Sequence, residues 1–265
     1  MSLPSGVSEC CVKGFQWSGT PTGTVGKLGP NDAYITGDNR DAAIILIPDL
    51  FGWEFPNVRL LADHIAREAG ATAFVPDLFG GEHLPWGPLA AGDFAALPRG
   101  ALEAFMRKNG RAAREPELFA CARALRAGPW GFRRVGAAGF CYGGWACFRL
   151  AAAEHQPPLV DCISVGHPSL LTAEDVDGVG GHAPVQMLAP EVDPMYTAEL
   201  KLHTFTTLQR LNVPFEYRHF PGVVHACFIR GSDSEKDPGE REAMVKGKNA
   251  IVAWMKEWLH GVASG

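Results

Sequence analysis

The chain has 265 residues, of which 46% are hydrophobic and 20% are charged, a composition typical of globular proteins. Its formal net charge at pH 7 is −5 and no basic run is longer than Arg133-Arg134, which argues against a nucleic-acid partner. No run of about 18 apolar residues occurs. The N-terminus MSLPSGVSECCVKGF lacks the basic start and apolar core of a signal peptide, so we expect no membrane partner and a cytoplasmic location.

Predicted strands and helices alternate along the chain. Short apolar runs at 42–47 and 72–75 are typical of parallel strands that are covered on both faces. Between them, residues 56–69 carry apolar side chains at helical spacing, with Gly70 just past the end. Later strands are predicted at 134–140, 160–165, 184–189 and 214–220, and later helices at 101–108, 115–127, 142–155, 197–211 and 240–260. This alternation predicts a doubly wound α/β fold with a mainly parallel sheet and helices on both faces.

No linker divides the chain, so we expect a single domain over residues 1–265, with an N-terminal leader at about 1–30 and an insertion at about 81–112 near the active site. The string Pro-Asp-Leu-Phe-Gly occurs at 48–52 and again at 76–80, each time at the end of an apolar strand. We expect both turns at the carboxyl edge of the sheet, where ligands bind, although a coincidence of sequence is the alternative.

The strand at 134–140 leads into Gly139-Phe140-Cys141-Tyr142-Gly143-Gly144. This pattern is typical of a nucleophile elbow, in which a strained residue lies between a strand and a helix and is flanked by small residues. Cysteine stands in the position that serine usually takes. The elbow would expose Cys141 at the top of the sheet, with the N-terminus of the next helix favouring its thiolate. A tight strand-to-helix junction without chemistry is the alternative.

An acid and a histidine follow in the order that α/β-hydrolase sheets use, which is nucleophile, acid, histidine. The predicted strand at 184–189 runs into a loop that carries Glu191 and Asp193. We favour Asp193 over Glu191, because a short side chain ahead of Pro194 suits a fixed loop position.

The predicted strand at 214–220 leads to His225, which would lie in the loop after the last strand. His167, at the end of a strand, and His219, inside one, are the alternatives that we favour less. Order and placement together predict a triad of Cys141, Asp193 and His225.

The remaining cysteines give no sign of a further site, because seven is an odd number and their spacing is not that of a disulfide framework. They are Cys10, Cys11, Cys121, Cys147, Cys162 and Cys227. Cys10 and Cys11 lack a Cys-x-x-Cys partner, which argues against zinc. We therefore expect reduced thiols, no bound metal and no cofactor.

Three regions resemble the signature regions of the dienelactone hydrolase family. They are Gly139-Phe140-Cys141-Tyr142-Gly143-Gly144, Glu191-Val192-Asp193-Pro194-Met195 and Pro221-Gly222-Val223-Val224-His225-Ala226-Cys227-Phe228-Ile229-Arg230-Gly231. Further similar turns lie at 47–53 and 75–79, and the leader segments 19–23 and 31–34 are similar to those of the eukaryotic, fungal-type branch. The resemblance covers about residues 30–260.

This resemblance implies a monomeric cysteine hydrolase of the α/β-hydrolase type that opens a lactone or enol ester in the breakdown of aromatic compounds. Cys141 would attack the carbonyl and form an acyl-thioester, with His225 as base and Asp193 as the group that orients it. The backbone N–H groups of Leu50 and Tyr142 would form the oxyanion hole.

The resemblance also implies groups on the substrate side of the site. Asp49 stands where bacterial members carry a glutamate that pairs with the resting thiol, and Arg230 would bind a substrate carboxylate. Phe79 stands after Leu78, where a second arginine is expected, which is compatible with a larger or less acidic substrate. Aromatic side chains would supply an apolar wall. They are Phe51, Trp53, Trp86 and Trp145.

Two other functions fit the same sequence. The first is an esterase or thioesterase of secondary metabolism that acts on a larger substrate. The second is a non-catalytic, redox-responsive binding protein of the same fold, because a fold alone does not establish activity.

Overall fold

The structure is a computed structural model, and it describes residues 14–90, 93, 98–232 and 238–261. Within these ranges, eight strands form one sheet. The strands are β1 (Thr24–Leu28), β2 (Asn31–Thr36), β3 (Ala42–Ile47), β4 (Thr72–Pro76), β5 (Arg134–Phe140), β6 (Cys162–Gly166), β7 (Val185–Val192) and β8 (Phe215–Val224). The helices are α1 (Pro56–Ala69), α2 (Trp86–Ala90), α3 (Ala101–Lys108), α4 (Arg111–Arg126), α5 (Tyr142–Leu150), α6 (Ala173–Asp177), α7 (Ala198–Arg210), α8 (Cys227–Arg230) and α9 (Pro238–His260).

The sheet is mainly parallel, which confirms the predicted fold class. Its strand order is β1-β2-β4-β3-β5-β6-β7-β8. All neighbours from β4 to β8 in this order pair in parallel. Only β2 pairs in antiparallel fashion, with β1 on one side and β4 on the other. The carboxyl ends of β3 to β8 therefore meet at one edge of the sheet, where the candidate residues lie.

Helices cover both faces of this sheet. Helices α1, α8 and α9 pack against one another on one face, and α4 to α7 form a contiguous layer on the other. Strands β3 and β4 are buried along their whole length, as the absence of polar alternation predicts. None of the helices in the described ranges combines the length and the apolar character that crossing a membrane requires.

The bounds of β3 and α1 agree with the prediction, whereas α5 is shorter than predicted. Helix α5 was expected to reach about residue 155 and ends at Leu150. The chain leaves the helix there because Ala152 pairs with Val179 in an isolated β-bridge. A tertiary contact thus overrides the apolar pattern of the following alanines.

Strands β1 and β2 are not evident from the apolar pattern. Strand β1 is an edge strand, is largely exposed and lies within the segment that we assigned to the leader. Its role is to pair with β2, from Thr24 opposite Ile35 to Leu28 opposite Asn31. Exposed edge strands need no apolar face, so periodicity gives little signal for them.

Strands β7 and β8 both extend beyond their predicted ends. Val192 pairs with Val224 after a register shift in the ladder. This extension makes Asp193 and His225 the first residues after two adjacent strands, which brings their side chains to the same place.

Candidate active site

Cys141 occupies the strained junction that the elbow motif predicts. Its φ is 50° and its ψ is −113°, between strand β5 and helix α5. The flanking glycines are required because a Cβ on Gly139 would lie 2.3 Å from the carbonyl oxygen of Gly143, and one on Gly143 would lie 2.4 Å from that of Ile47. The sulfur thus lies at the N-terminus of α5, where the helix dipole favours a negative charge.

The expected exposure of Cys141 is wrong, because its side chain is fully buried, at 0% exposure. The loop that follows β6 packs against the elbow. Cys141 N–H donates to the carbonyl oxygen of Gly166 at 3.2 Å, and Ser169 N–H donates to that of Cys141 at 2.8 Å. These bonds hold the loop over the junction, so the thiol is enclosed by the protein.

Asp193 and His225 form a buried pair. His225 Nδ1 lies 2.8 Å from Asp193 Oδ1, and both side chains have 0% exposure. The same carboxylate oxygen accepts backbone N–H bonds from Met195 and Tyr196, each at 2.9 Å. The two backbone N–H groups hold the carboxylate in place, and the carboxylate fixes the orientation of the imidazole.

Glu191, the alternative acid, lies elsewhere. It is exposed, and its carboxylate accepts the Gly222 backbone N–H at 2.7 Å. His219, one alternative base, is exposed on β8. The structure thus brings Asp193, rather than Glu191, into contact with His225.

Ser169 was not singled out from the sequence. Its hydroxyl oxygen lies 3.3 Å from the Cys141 sulfur and 3.5 Å from His225 Nε2. It therefore links the thiol to the imidazole. The available signal was its position, three residues after β6, the strand that neighbours the elbow strand.

His167, the other alternative base, is buried beside His225. The ring centroids of His167 and His225 are 4.9 Å apart, and His167 stacks on Phe228 with 5.4 Å between centroids. His167 thus packs against the ring of His225 from the same loop that carries Ser169.

Backbone strain concentrates around these groups. Cys141, His167, Leu170 and Ala226 have positive φ, and in the described part of the chain only Asn212 joins them among non-glycine residues. Such conformations persist only where the surrounding structure enforces them, and they cluster at functional sites. The strained residues lie in the elbow, in the loop of Ser169 and next to His225.

Asp49 and Arg230 form a buried ion pair with each other. Arg230 Nε lies 2.5 Å from Asp49 Oδ2, and the side chains are 0% and 1% exposed. The guanidinium also lies over the ring of Phe51, with Cζ 4.4 Å from its centroid. Each charge therefore compensates the other. The two residues that we predicted on the substrate side of the site thus contact each other.

The repeated string produces the same turn twice, as expected. Asp49 Oδ1 accepts the N–H of Phe51 at 2.9 Å, and Asp77 Oδ1 accepts the N–H of Phe79 at 2.9 Å. These turns follow β3 and β4, which are parallel neighbours. Both lie at the carboxyl edge of the sheet.

Leu50 and Tyr142, the predicted oxyanion-hole residues, follow adjacent parallel strands. Leu50 lies in the turn after β3, and Tyr142 is the first residue of α5. Ile47 pairs with Gly139, so both residues lie at the same edge, close to the elbow.

The aromatic residues assigned to the apolar wall pack against other side chains of the protein. Trp86 contacts Phe55 at 5.5 Å between centroids. Trp53 is half-buried under the Arg59 guanidinium, with 4.7 Å from Cζ to the ring centroid. Trp145 is buried in α5, where its ring contacts that of Tyr142 at 5.7 Å.

The fold and the strained junction after β5 assign the chain to the α/β hydrolases, in which a nucleophile stands at such a junction. Residues 32–259 match the model of the dienelactone hydrolase family. The chain therefore belongs to this family of hydrolases.

Curated relatives and solved structures agree with this assignment. The hydrolase tropI of Talaromyces stipitatus is 26% identical over 262 residues, which are 97% of this chain and 98% of the relative. A carboxymethylenebutenolidase homolog of Mus musculus is 29% identical over 233 residues, 86% of this chain and 87% of the relative. The structure of a dienelactone hydrolase-like promiscuous phosphotriesterase from metagenomic libraries has a TM-score of 0.66 at 20% identity, covering 89% of this chain and 97% of its own. Carboxyl esterase 2 of the fungus Tuber melanosporum has a TM-score of 0.64 at 15% identity, covering 94% and 91%. These two structures show a shared fold.

Proposed function

We propose that this chain is a cysteine-dependent hydrolase that opens a lactone or enol ester of the carboxymethylenebutenolide type. The observation that carries the proposal is the enclosed group of Cys141, His225 and Asp193 at the elbow. A thiol, an imidazole and a carboxylate in this order supply a nucleophile, a base and a group that orients the base.

Acylation follows from these groups. His225 takes up the proton of Cys141, and its Nδ1–H donates to Asp193. The thiolate adds to the lactone carbonyl carbon, and the tetrahedral intermediate collapses with cleavage of the ring C–O bond. The imidazolium returns its proton to the leaving enolate, and an acyl-thioester on Cys141 remains. An enolate is a good leaving group, so this step needs less acid assistance than amide cleavage.

Deacylation uses the same base. Neutral His225 removes a proton from water, which adds to the thioester carbonyl. The C–S bond then breaks, the carboxylic acid leaves, and the proton on His225 returns to the Cys141 sulfur. The backbone N–H groups of Leu50 and Tyr142 are proposed to stabilise the oxyanion in both steps, at about 3–4 kcal/mol per donor.

Recognition of the substrate is assigned to the other predicted residues. Arg230 would bind a substrate carboxylate by exchanging Asp49 for it, which would release Asp49 to act on the thiol. Phe51, Trp53 and Trp86 would contact apolar parts of the substrate. We further propose that the protein acts as a cytoplasmic monomer, without metal or cofactor, in the breakdown of aromatic compounds.

One observation favours a second candidate, a thioesterase or esterase that acts on a larger substrate. Phe79 replaces the arginine expected after Leu78, and its ring packs against those of Phe105 and Tyr142 at 5.0 and 5.1 Å between centroids. A buried phenyl ring in place of a cation leaves less positive charge for a small dianionic lactone, which suits a larger or less acidic acyl group.

The test is hydrolysis of a dienelactone, p-nitrophenyl acetate and an acyl-CoA thioester by the wild type, Cys141→Ala and Cys141→Ser, with folding checked by circular dichroism. Cys147→Ala is the matched control, since Cys147 is a buried cysteine on helix α5, which begins directly after Cys141. We expect turnover to be lost only in the Cys141 variants. Preference for the thioester over the lactone would favour the second candidate, and undiminished turnover in Cys141→Ala would refute both.

A further inference from the structure

The hydroxyl group of Ser169 contacts two groups of the proposed mechanism at once. Its oxygen lies 3.3 Å from the Cys141 sulfur and 3.5 Å from His225 Nε2. The side chain is buried, at 3% exposure, so bulk water does not compete for these contacts. The longer contact is at the limit of a hydrogen bond, and such contacts tighten when charge develops during the reaction.

The loop of Ser169 is built to hold the hydroxyl there. Positive φ angles at His167 (37°) and Leu170 (57°) bracket the serine. Ser169 N–H donates to the Cys141 carbonyl oxygen, and Arg111 Nη1 donates to that of Leu170 at 2.8 Å. Thus the loop is bonded to the elbow at Ser169 and to helix α4 at Leu170, and the surrounding structure maintains the strain at His167 and Leu170.

A hydroxyl in this position satisfies both protonation states of the site. In the neutral state, the thiol donates to Ser169 Oγ and the hydroxyl donates to His225 Nε2. In the ionised state, the imidazolium Nε2–H donates to Ser169 Oγ and the hydroxyl donates to the thiolate. The same heavy-atom positions serve both states, because a hydroxyl has one donor and two acceptor sites.

We propose that Ser169 is a fourth catalytic residue, which passes the thiol proton to His225 and then stabilises the thiolate by a hydrogen bond. The inference rests on the proposed function. One proton moves from Cys141 Sγ to Ser169 Oγ while the original hydroxyl proton moves to His225 Nε2. The serine therefore remains a hydroxyl, the sulfur becomes a thiolate, and the histidine becomes an imidazolium that Asp193 stabilises.

Ser164 provides a matched control. It is also buried, on strand β6 five residues before Ser169, and its hydroxyl donates to Gln186 Oε1 at 2.6 Å. Its contacts lie within the sheet. Replacing either serine by alanine removes one buried hydroxyl, but only Ser169→Ala removes one that contacts the sulfur.

The first measurement is the rate of alkylation of Cys141 by iodoacetamide as a function of pH, located by peptide mapping. We expect the midpoint of the profile to rise by about one pH unit in Ser169→Ala, because a hydrogen bond to the charged form is lost. Ser164→Ala should keep the wild-type midpoint. This measurement does not depend on turnover, so it remains informative if the proposed hydrolase activity is absent.

The second measurement is the acylation burst with p-nitrophenyl acetate in mixtures of H2O and D2O. Two protons in flight give a curved dependence of rate on deuterium fraction in the wild type, whereas Ser169→Ala should give a straight line and a burst slower by about tenfold or more. An unchanged alkylation midpoint together with an unchanged burst in folded Ser169→Ala would overturn the inference while leaving the hydrolase proposal intact. A wild type that releases no p-nitrophenol at all would contradict the hydrolase proposal instead.

Discussion

Two parts of the site are held in place in different ways. On the thiol side, formed by Cys141, Ser169, Asp193 and His225, the polar side chains form a connected series whose ends are fixed by backbone hydrogen bonds. On the ion-pair side, formed by Asp49 and Arg230, two buried charges compensate each other. The backbone fold maintains the geometry of the thiol side. On the ion-pair side, each charged side chain is stabilised by the presence of the other.

This difference has energetic consequences. Hydrogen bonds from backbone N–H groups to the Asp193 carboxylate persist as long as the loop is folded. A buried ion pair gains little over a well-packed apolar pair, but removal of one member leaves an uncompensated buried charge. The thiol side should therefore respond to mutation mainly in rate, and the ion-pair side in both stability and substrate choice.

The largest expected effect is that of Asp193→Asn, which keeps the shape of the side chain and removes its charge. The amide cannot stabilise the imidazolium and disturbs the His225 tautomer, so we expect kcat for p-nitrophenyl acetate to fall about 10³- to 10⁴-fold. Glu191→Gln is the control, because Glu191 is the exposed neighbouring acid, and it should retain activity. A larger loss in Glu191→Gln than in Asp193→Asn would assign the acid to Glu191.

The next effect concerns the stability of the ion-pair side. Arg230→Gln leaves the carboxylate of Asp49 buried without its cation, so the free energy of unfolding should fall by about 3 kcal/mol. Asp49→Asn combined with Arg230→Gln removes both charges and should regain part of this loss. The measurement is urea denaturation of the wild type, the two single variants and the double variant. Additive effects in the double variant would mean that the two charges do not stabilise each other.

A smaller effect is expected in substrate choice. If Arg230 binds a substrate carboxylate, Arg230→Gln should lower kcat/KM for a carboxylated dienelactone about thirtyfold, equivalent to the loss of about 2 kcal/mol. The value for p-nitrophenyl acetate, which has no carboxylate, should change much less. Equal losses for the two esters would instead assign Arg230 a structural role through its contact with Phe51.

The thiol side was largely predictable from the sequence, because its parts obey general rules. Cys141 lies in a motif whose glycines are dictated by close backbone approach, and Asp193 and His225 follow adjacent parallel strands. Parallel strands bring such residues to one edge of the sheet, so chain order is sufficient to group them.

Ser169 and the Asp49–Arg230 pair could not be predicted in the same way. The approach of Ser169 depends on left-handed backbone at His167 and Leu170, and neither residue type signals that conformation. The ion pair joins residues from distant parts of the chain that follow β3 and β8, which are not neighbours in the sheet, so chain order does not indicate the contact. The burial of Cys141 follows from the same loop and was therefore also missed.

The last prediction concerns the other buried cysteines, which we expect not to react with iodoacetamide. It tests whether burial alone or the surroundings of Cys141 decide the reactivity of a thiol. Burial raises the pKa values of the Cys147 and Cys162 thiols above the ordinary value of a cysteine. It raises the pKa of Cys121 to about 12. A raised pKa means that these thiols stay protonated at pH 8, where only a thiolate reacts with iodoacetamide. Cys141 should be alkylated at this pH, while Cys121, Cys147 and Cys162 should remain unmodified in peptide maps of the native protein. Modification of Cys147 at a rate similar to that of Cys141 would contradict this prediction. It would show that the surroundings of Cys141, namely the N-terminus of α5, Ser169 and His225, do not make its thiol more reactive than another buried thiol.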